Sequence, residues 1–566
     1  MYLRTTRRKN KDGSVVEYFQ LAHNVRHSET GSPVAEIVHN FGRAHELNRD
    51  DLVRLCRSIA RVCGLEVRDP LAAPARTCEG QDCTALPEDV KLVRTLDLGV
   101  PYVTEVLWER LGIGPTLREV IAKSQSNPVY EKALLVITAN RLCEPESKLG
   151  VWRRWLSKVF MPSCSGLELN QMYEAMDVLH RHIAKVENAV FNHTANLFNL
   201  AVDLIFYDTT TACFSIDEPD EDTEDGPGLR QYGHSKDGTW RPQVVVALAV
   251  TRDGLPVRSW VFPGNTSDVD TIKKVRQDLR GWELGRALFV ADSGANSATN
   301  REEIAKACGK YLLATRMSSV SEIKEDVLTR PGRYKVITEN LHAKEVVVGD
   351  GELRRCYTLC YNPREAERQR KHREQVVKEL EEELKSHPDH KTTARWAIEL
   401  MASGRYKRYL TIDKKECVRL DRAAIREIAK YDGKWVLQTN DDTISLDDAA
   451  AGYKGLLVIE RCFRTLKRTR IQMEPMYHWL PHRIETHIKL CVFALLIERV
   501  AEIKCKEPWP HIKQTLATLQ PTEFHTPKLR FFQRNEPSPK LLRTLKSLGI
   551  SMPKVVLDLQ SGTSNA

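Results

Sequence analysis

The period of the apolar positions changes several times along the chain. Residues 14–41 ("SVVEYFQLAHNVR", "PVAEIVHNFG") alternate and predict short strands. From about 48 to 200 the period is helical. Its clearest stretch sets Met172, Met176, Leu179, Ile183, Val186 and Val190 at steps of four and three, the narrow stripe of a core-facing helix. Residues 203–209 then read as a strand, "QVVVALAV" (243–250) as a second and "LPVRSWVF" (255–262) as a third. A helix is predicted over 268–282, a fourth strand over "ALFVAD" (287–292), and a helix over 299–308 with Thr299 and Glu302 at N-cap and N3 spacing. "KYLLATR" (310–316) predicts one more strand. The order β-β-β-α-β-α-β describes a meander followed by α/β crossovers.

Beyond 318 the rhythm breaks. Strand-like pieces ("GRYKVI", "KEVVVG", "RCYTLCY") precede a highly charged helical run, "REAERQRKHREQVVKELEEELKSH", whose charges read as a solvated face laced with i,i+4 pairs. "DGKWVLQTN" (432–440) predicts a strand returning to the sheet, and 446–500 is helical again.

At 566 residues the chain is long enough for two to four structural units, and its 42% hydrophobic and 28% charged residues suit a globular protein. The longest apolar run, "LCVFALLI" (490–497), is too short to cross a bilayer, and no h-region follows the basic start, so a cytoplasmic location without membrane attachment is expected. Fourteen cysteines lack the spacing of a zinc site. The net charge of +9 permits a polyanionic partner. Its distribution is more telling: "RCFRTLKRTR" (461–470) is rich in Lys and Arg and holds no acid, whereas "DEPDEDTEDG" (217–226) holds seven acids in ten residues. That acidic block fails the Ca²⁺-loop pattern and reads as a solvated loop.

Three carboxylates occupy telling positions. Asp208 ends the first strand of the α/β stretch, Asp292 ends the fourth, and Glu460 sits near the start of a late helix. A lone Asp at a strand end ordinarily starts a turn. Here, however, the first and fourth strands of such a sheet are commonly neighbours. Two adjacent carboxylates repel unless a cation joins them, and oxygen-only ligands suit Mg²⁺ or Mn²⁺. With a third carboxylate from a packed helix, two ions could activate a hydroxyl and stabilise the leaving oxygen of a phosphodiester. On the Glu460 helix, Ile459, Phe463 and Leu466 form an apolar face, and Glu460, Arg464 and Lys467 the adjoining one.

These residues, with "YDTTT", "GHSKDGTWRPQVVVAL", "FPGNTSD", "VADSGANS" and "GYKGLLVIERCFRTLK", resemble an insertion-sequence DDE transposase of the kind with a long insertion before the catalytic Glu. The likeness covers about 200–500 well and reaches more weakly to "CEPESKLGVWRRW" (143–155). It implies an α/β fold: an RNase H-like mixed sheet flanked by helices, with an inserted β-rich and helical domain and a mostly helical N-terminal region. The expected divisions are 1–200 (small β plus helical, end binding and possible dimer contacts), 201–317 and 441–505 (the split core), 318–440 (the insertion) and 506–566 (a basic C-terminal tail). The resemblance implies a catalytic and metal-binding triad of Asp208, Asp292 and Glu460 holding two Mg²⁺ or Mn²⁺ ions. It also implies DNA as partner, both transposon ends and target, and a homodimer in a synaptic complex. The family's Tyr-x2-Arg-x3-Glu-x6-Lys signature falls on Tyr453, Glu460 and Lys467. Its Arg position holds Leu456, a departure that leaves a phosphate contact to Arg461 or Arg464.

Further DNA-contact candidates are His234 and Lys236 on the loop before the second strand, and Trp479, which could stack on an unpaired base, although a core role is commoner for a single tryptophan. "FPGNTSD" reads as structural turn chemistry. Two other functions stay open: a metal-dependent nuclease of the same fold without strand transfer, and a non-catalytic DNA-binding relic.

Overall fold

The computed structural model describes residues 2–9, 15–26, 33–43, 90–198, 204–222, 227–279, 287–317, 320–350, 354–387 and 391–561. The helical periodicity expected from about 48 to 89 and the core of the acidic block at 223–226 lie outside them. The chain divides into two units, Met1–Pro87 and Glu88–Ala566. In the first, β1 (Tyr2–Lys9), β2 (Val15–Arg26) and β3 (Pro33–Arg43) form an antiparallel sheet in that order.

The second unit opens with β4 (Lys91–Thr95) and the helices α1 (Gly99–Arg110), α2 (Ile113–Lys123), α3 (Val129–Cys143) and α4 (Leu169–Phe198). The stripe predicted on α4 is buried at Met172, Met176, Leu179, Val186 and Val190. These helices share one apolar core with the large mixed sheet and the C-terminal segment. The helical part of residues 1–200 therefore does not fold apart from that sheet.

The sheet is ten-stranded. Its antiparallel part is β5 (Leu204–Cys213), β6 (Gln231–His234), β7 (Trp240–Thr251) and β8 (Pro256–Pro263), with β7 paired to β5 on one edge and to β6 and β8 on the other. After α5 (Asp268–Leu279), β9 (Leu288–Ala291) lies parallel to β5. After α6 (Ala298–Cys308), β10 (Lys310–Thr315) lies parallel to β9. The N-cap of α6 is Ser297, accepting from Asn300 N, rather than the expected Thr299.

Of the insertion, β11 (Lys335–Thr338), β12 (Leu341–Val348) and β13 (Arg355–Tyr361) do not form a sheet of their own; they extend the main one through β16 (Lys434–Thr439), which pairs with both β13 and β10. Between them, α7 (Pro363–Ser386), α8 (Arg395–Ala402), the hairpin β14 (Leu410–Ile412) and β15 (Val418–Leu420), and α9 (Arg422–Ala429) surround a small separate core.

The chain then returns through α10 (Leu446–Lys454), α11 (Leu456–Arg464) and α12 (Pro481–Cys505). Residues 506–561 are not the expected tail. They fold as α13 (Trp509–Leu516), β17 (Pro521–His525), β18 (Leu529–Arg534), α14 (Pro539–Leu548) and β19 (Val556–Ser561), and β17 pairs with β4. The basic count hid strands such as "TEFH" and "LRFFQR", in which Phe532 is buried, Arg530 pairs with Glu523 and Arg534 donates to the Pro553 carbonyl. Among the described residues no helix is long and apolar enough to cross a membrane.

Candidate active site

Strand alternation builds the site. In β5, Leu204 and Phe206 enter the large helical core, and Ile205 and Tyr207 enter the second core beneath α5 and α6. In β9, Leu288 and Val290 share the first face, and Phe289 and Ala291 the second. Tyr207 pairs with Ala291 in the parallel register, so the next residues, Asp208 and Asp292, follow side by side on the face of Phe206 and Val290. β9 stops at Ala291, whereas β5 runs on to Cys213 because β7 keeps pairing with it. Asp208 thus lies within its strand rather than at its end, just past the last pairing with β9.

The helix of Glu460 packs on that same face. Ile459, Cys462, Phe463 and Leu466 are buried. A Cβ at Gly455 would stand 2.3 Å from Phe206 Cζ, so only glycine permits this approach of α11 to β5. Glu460 is on the exposed side of the helix. Tyr453, at the end of α10, donates its hydroxyl to Asp292 Oδ1 at 3.1 Å, and its own pKa is raised by burial, Asp292 and Glu460.

Asp208 is partly buried and accepts Thr209 N at 2.7 Å. Its pKa is pushed up to about 6, first by burial and further by the carboxylates of Asp268 and Asp292, against the Thr209 N–H and Lys236. An acidic pair in this condition favours a cation, and carboxylates alone are the donor set of Mg²⁺ or Mn²⁺. Among the described residues, however, no three His, Cys, Asp or Glu side chains stand close enough to hold a metal ion. The expected convergence of three carboxylates is therefore not assembled among the described residues, although the register makes Asp208 and Asp292 neighbours.

Asp268, at the first turn of α5, is a residue the sequence reading assigned to turn chemistry alone. Its Oδ1 accepts from Thr209 Oγ1 at 2.5 Å and its Oδ2 from Lys236 Nζ at 2.8 Å. A Cβ at Gly294, in the loop after Asp292, would meet Asp268 Oδ2 at 2.9 Å, so both loops close around this carboxylate. The signal was present as an Asp at a helix start, but a capping role explained it without reference to Asp208.

The loop before β7 ties the site together. Lys236 N donates to Thr211 Oγ1 at 3.0 Å. Asp237 Oδ2 accepts from Lys467 Nζ at 3.2 Å and from Arg468 Nη2 at 2.8 Å. Glu474 accepts from Arg468 Nε at 3.3 Å and from Cys213 N at 2.9 Å. The turn after the Glu460 helix is thereby fastened to the far end of the Asp208 strand, and Lys467 is engaged with an aspartate.

The remaining candidates are spread around this centre. His234 is exposed with its ring 4.7 Å from Trp240. Arg461 and Arg464 are exposed and line a separate cavity of about 560 Å³ with Arg470, Arg499 and Lys506. Leu456 packs partly buried against the core, which is why an apolar residue suits the place of the signature's Arg. Trp479 is not a core residue: it is 70% exposed with the Arg230 guanidinium 5.2 Å from its ring. The acidic block folds back at Asp220, which accepts from Arg230 Nε at 2.8 Å.

A mixed sheet of this order, with neighbouring aspartates and a helix carrying a glutamate packed on their face, is the arrangement of the DDE class. The family model described as "Transposase DDE domain" matches residues 213–497, and the chain belongs to that family. The match takes in Asp292 and Glu460 and begins just after Asp208. A second model, "IS1634 family transposase, N-terminal domain", matches residues 3–69, so the chain is an insertion-sequence transposase with an RNase H-like fold. No curated protein matches it.

Proposed function

We propose that this transposase cleaves phosphodiester bonds at the terminal inverted repeats of its insertion sequence and joins the freed 3′ ends to target DNA. The observation that supports this most is the register Tyr207–Ala291, which makes Asp208 and Asp292 neighbours on the face where the Glu460 helix packs. Asp208, Asp292 and Glu460 would hold two Mg²⁺ or Mn²⁺ ions, which when bound supply activation of the attacking oxygen and stabilisation of the leaving one. Tyr453 orients Asp292 through its hydroxyl. Asp268 sets the position of Lys236 and of Thr209, the neighbour of Asp208. Asp237 and Glu474 fix the turn that follows the Glu460 helix. Arg461, Arg464, Lys236, Lys467, His234 and Trp479 would meet the DNA, with phosphate contacts making binding salt-sensitive. The three-stranded unit and the α1–α4 helices would bind the end, and pairing of two ends would require a homodimer.

The test is incubation of labelled element-end DNA with Mg²⁺ or Mn²⁺. Nicks at the border and joined products are expected from the wild type. Asp208→Asn and Asp292→Asn should abolish both while end binding survives. Unaltered cleavage by either variant overturns the assignment, and nicks without joined products would reduce the protein to a nuclease.

A further inference from the structure

Away from the three carboxylates, the "CEPESKLGVWRRW" segment meets the loop after the Glu460 helix around a cavity of about 330 Å³. Arg141, Lys148, Arg154, Glu146, Tyr477 and His487 are among its lining residues. Arg141 and Lys148 are 5% and 3% exposed, and neither forms an ion pair with a carboxylate among the described residues. Lys148 Nζ lies 2.7 Å from His487 Nδ1, its single hydrogen-bond partner among the described residues. His487 Nε2 is 3.2 Å from the Met473 carbonyl, an arrangement that leaves Nδ1 as the acceptor. Arg141 reaches the carbonyls of Gln472 and Glu146, and its buried Nε has no partner. The pocket's acid, Glu146, is taken by Arg154 Nη2 at 2.7 Å. Burial, and then the Arg141 guanidinium, lower Lys148 to about 7, and an anion joining the two would hold both charged.

What that anion is follows from the loop. Tyr477, on the rim, is 65% exposed, and Trp479 two residues on is also exposed. The same loop carries Glu474, which holds the end of the Asp208 strand. A buried cationic pocket beside an exposed ring is the combination that takes a single nucleic-acid strand, phosphate below and base against the aromatic face. We propose that the Arg141–Lys148–Arg154 pocket holds a phosphate group of a single DNA strand whose base stacks on Tyr477. This rests on DNA being the substrate, and it assigns to the loop a hold on an unpaired strand.

The experiment is fluorescence anisotropy of the full chain with a labelled oligothymidylate, without divalent ion, so its outcome is independent of cleavage. Duplex DNA of equal length and inorganic phosphate serve as the other arms. Lys148→Met should weaken binding about tenfold and lower the salt slope by about 0.7, the loss of one phosphate contact. Tyr477→Ala should also weaken it about tenfold. Arg154→Gln, at an exposed position, should act like Lys148→Met, and it decides the phosphate contact if Lys148→Met does not fold. Unchanged affinity and slope in folded variants overturn the proposal. So does a duplex bound as tightly as the single strand, or inorganic phosphate competing at the oligonucleotide's own concentration.

Discussion

Asp268 shows how much a single side chain can organise without touching the reaction. It accepts from the Thr209 hydroxyl and the Lys236 ammonium at once, and both flank Asp208. Loss of such a supporting group commonly costs roughly 10–100-fold in activity. Asp268→Asn should therefore lower the cleavage rate by about that factor and leave end binding intact, as gel-shift and cleavage assays on the same DNA would read. A variant at the wild-type rate would make Asp268 an ordinary helix-start residue. Asp208 and Asp292 were legible because each closes an apolar run whose alternation fixes its face. Asp268 was not, because its partners come from β5 and the β6–β7 loop, a contact made only by folding. Trp479 left a core and a DNA-facing reading open in the sequence, because its loop buries Met476 and His478 and exposes Tyr477, Trp479 and Leu480, a choice that local composition does not encode.

At the scale of elements, α4 and α12 are joined by an ion pair inside the core. Lys489 Nζ lies 2.8 Å from Glu187 Oε1, which also accepts from Ser259 Oγ at 3.1 Å, and both charged side chains are almost fully buried. Lys489→Met would leave the buried Glu187 carboxylate only the Arg258 guanidinium, 3.8 Å away, as a cationic partner, and breaking such a pair costs up to about 3–5 kcal/mol. Urea unfolding should show that loss, whereas a shift below about 1 kcal/mol would place Glu187 in better solvation than the packing gives it. Element order was largely readable from the periods, since each α/β crossover carries its own apolar rhythm. Which strands pair was less so. The insertion's strands join the main sheet because β16 offers its second edge to β13, a fact of topology that local composition does not encode.

At the scale of the molecule, two buried histidines tie stability to pH. His478 is held down at about 3, by burial first and then by Lys148, Arg483 and Arg141, and His487 is lowered well below its ordinary value by burial and Lys148. The unfolded chain takes up protons on these rings below about pH 6.5 while the folded chain does not. Their contribution is thus complete above that pH and is lost as pH falls. Carboxylates held low, such as Asp177 and Glu523, act only below about 4.5. Asp208, raised to about 6, and Glu498, raised to about 7, however, take up protons in the folded chain between 6.5 and 5 and oppose the histidines. The part of the histidines is therefore read as a difference between the wild type and a histidine variant. As pH falls from 6.5 to 5 the urea midpoint of the wild type should lose ground relative to that of His478→Gln; a difference that does not change with pH would contradict the burial of this ring as a neutral group.

Catalysis as proposed requires acidic side chains from β5, the end of β9 and α11 to close on divalent ions once DNA is present. Mn²⁺ uptake by the chain on element-end DNA, followed by paramagnetic resonance of the free ion, measures this directly. The wild-type complex should take up two ions, and Asp208→Asn, Asp292→Asn and Glu460→Gln should each take up fewer. No uptake by the wild type, or uptake indifferent to Glu460→Gln, would contradict it.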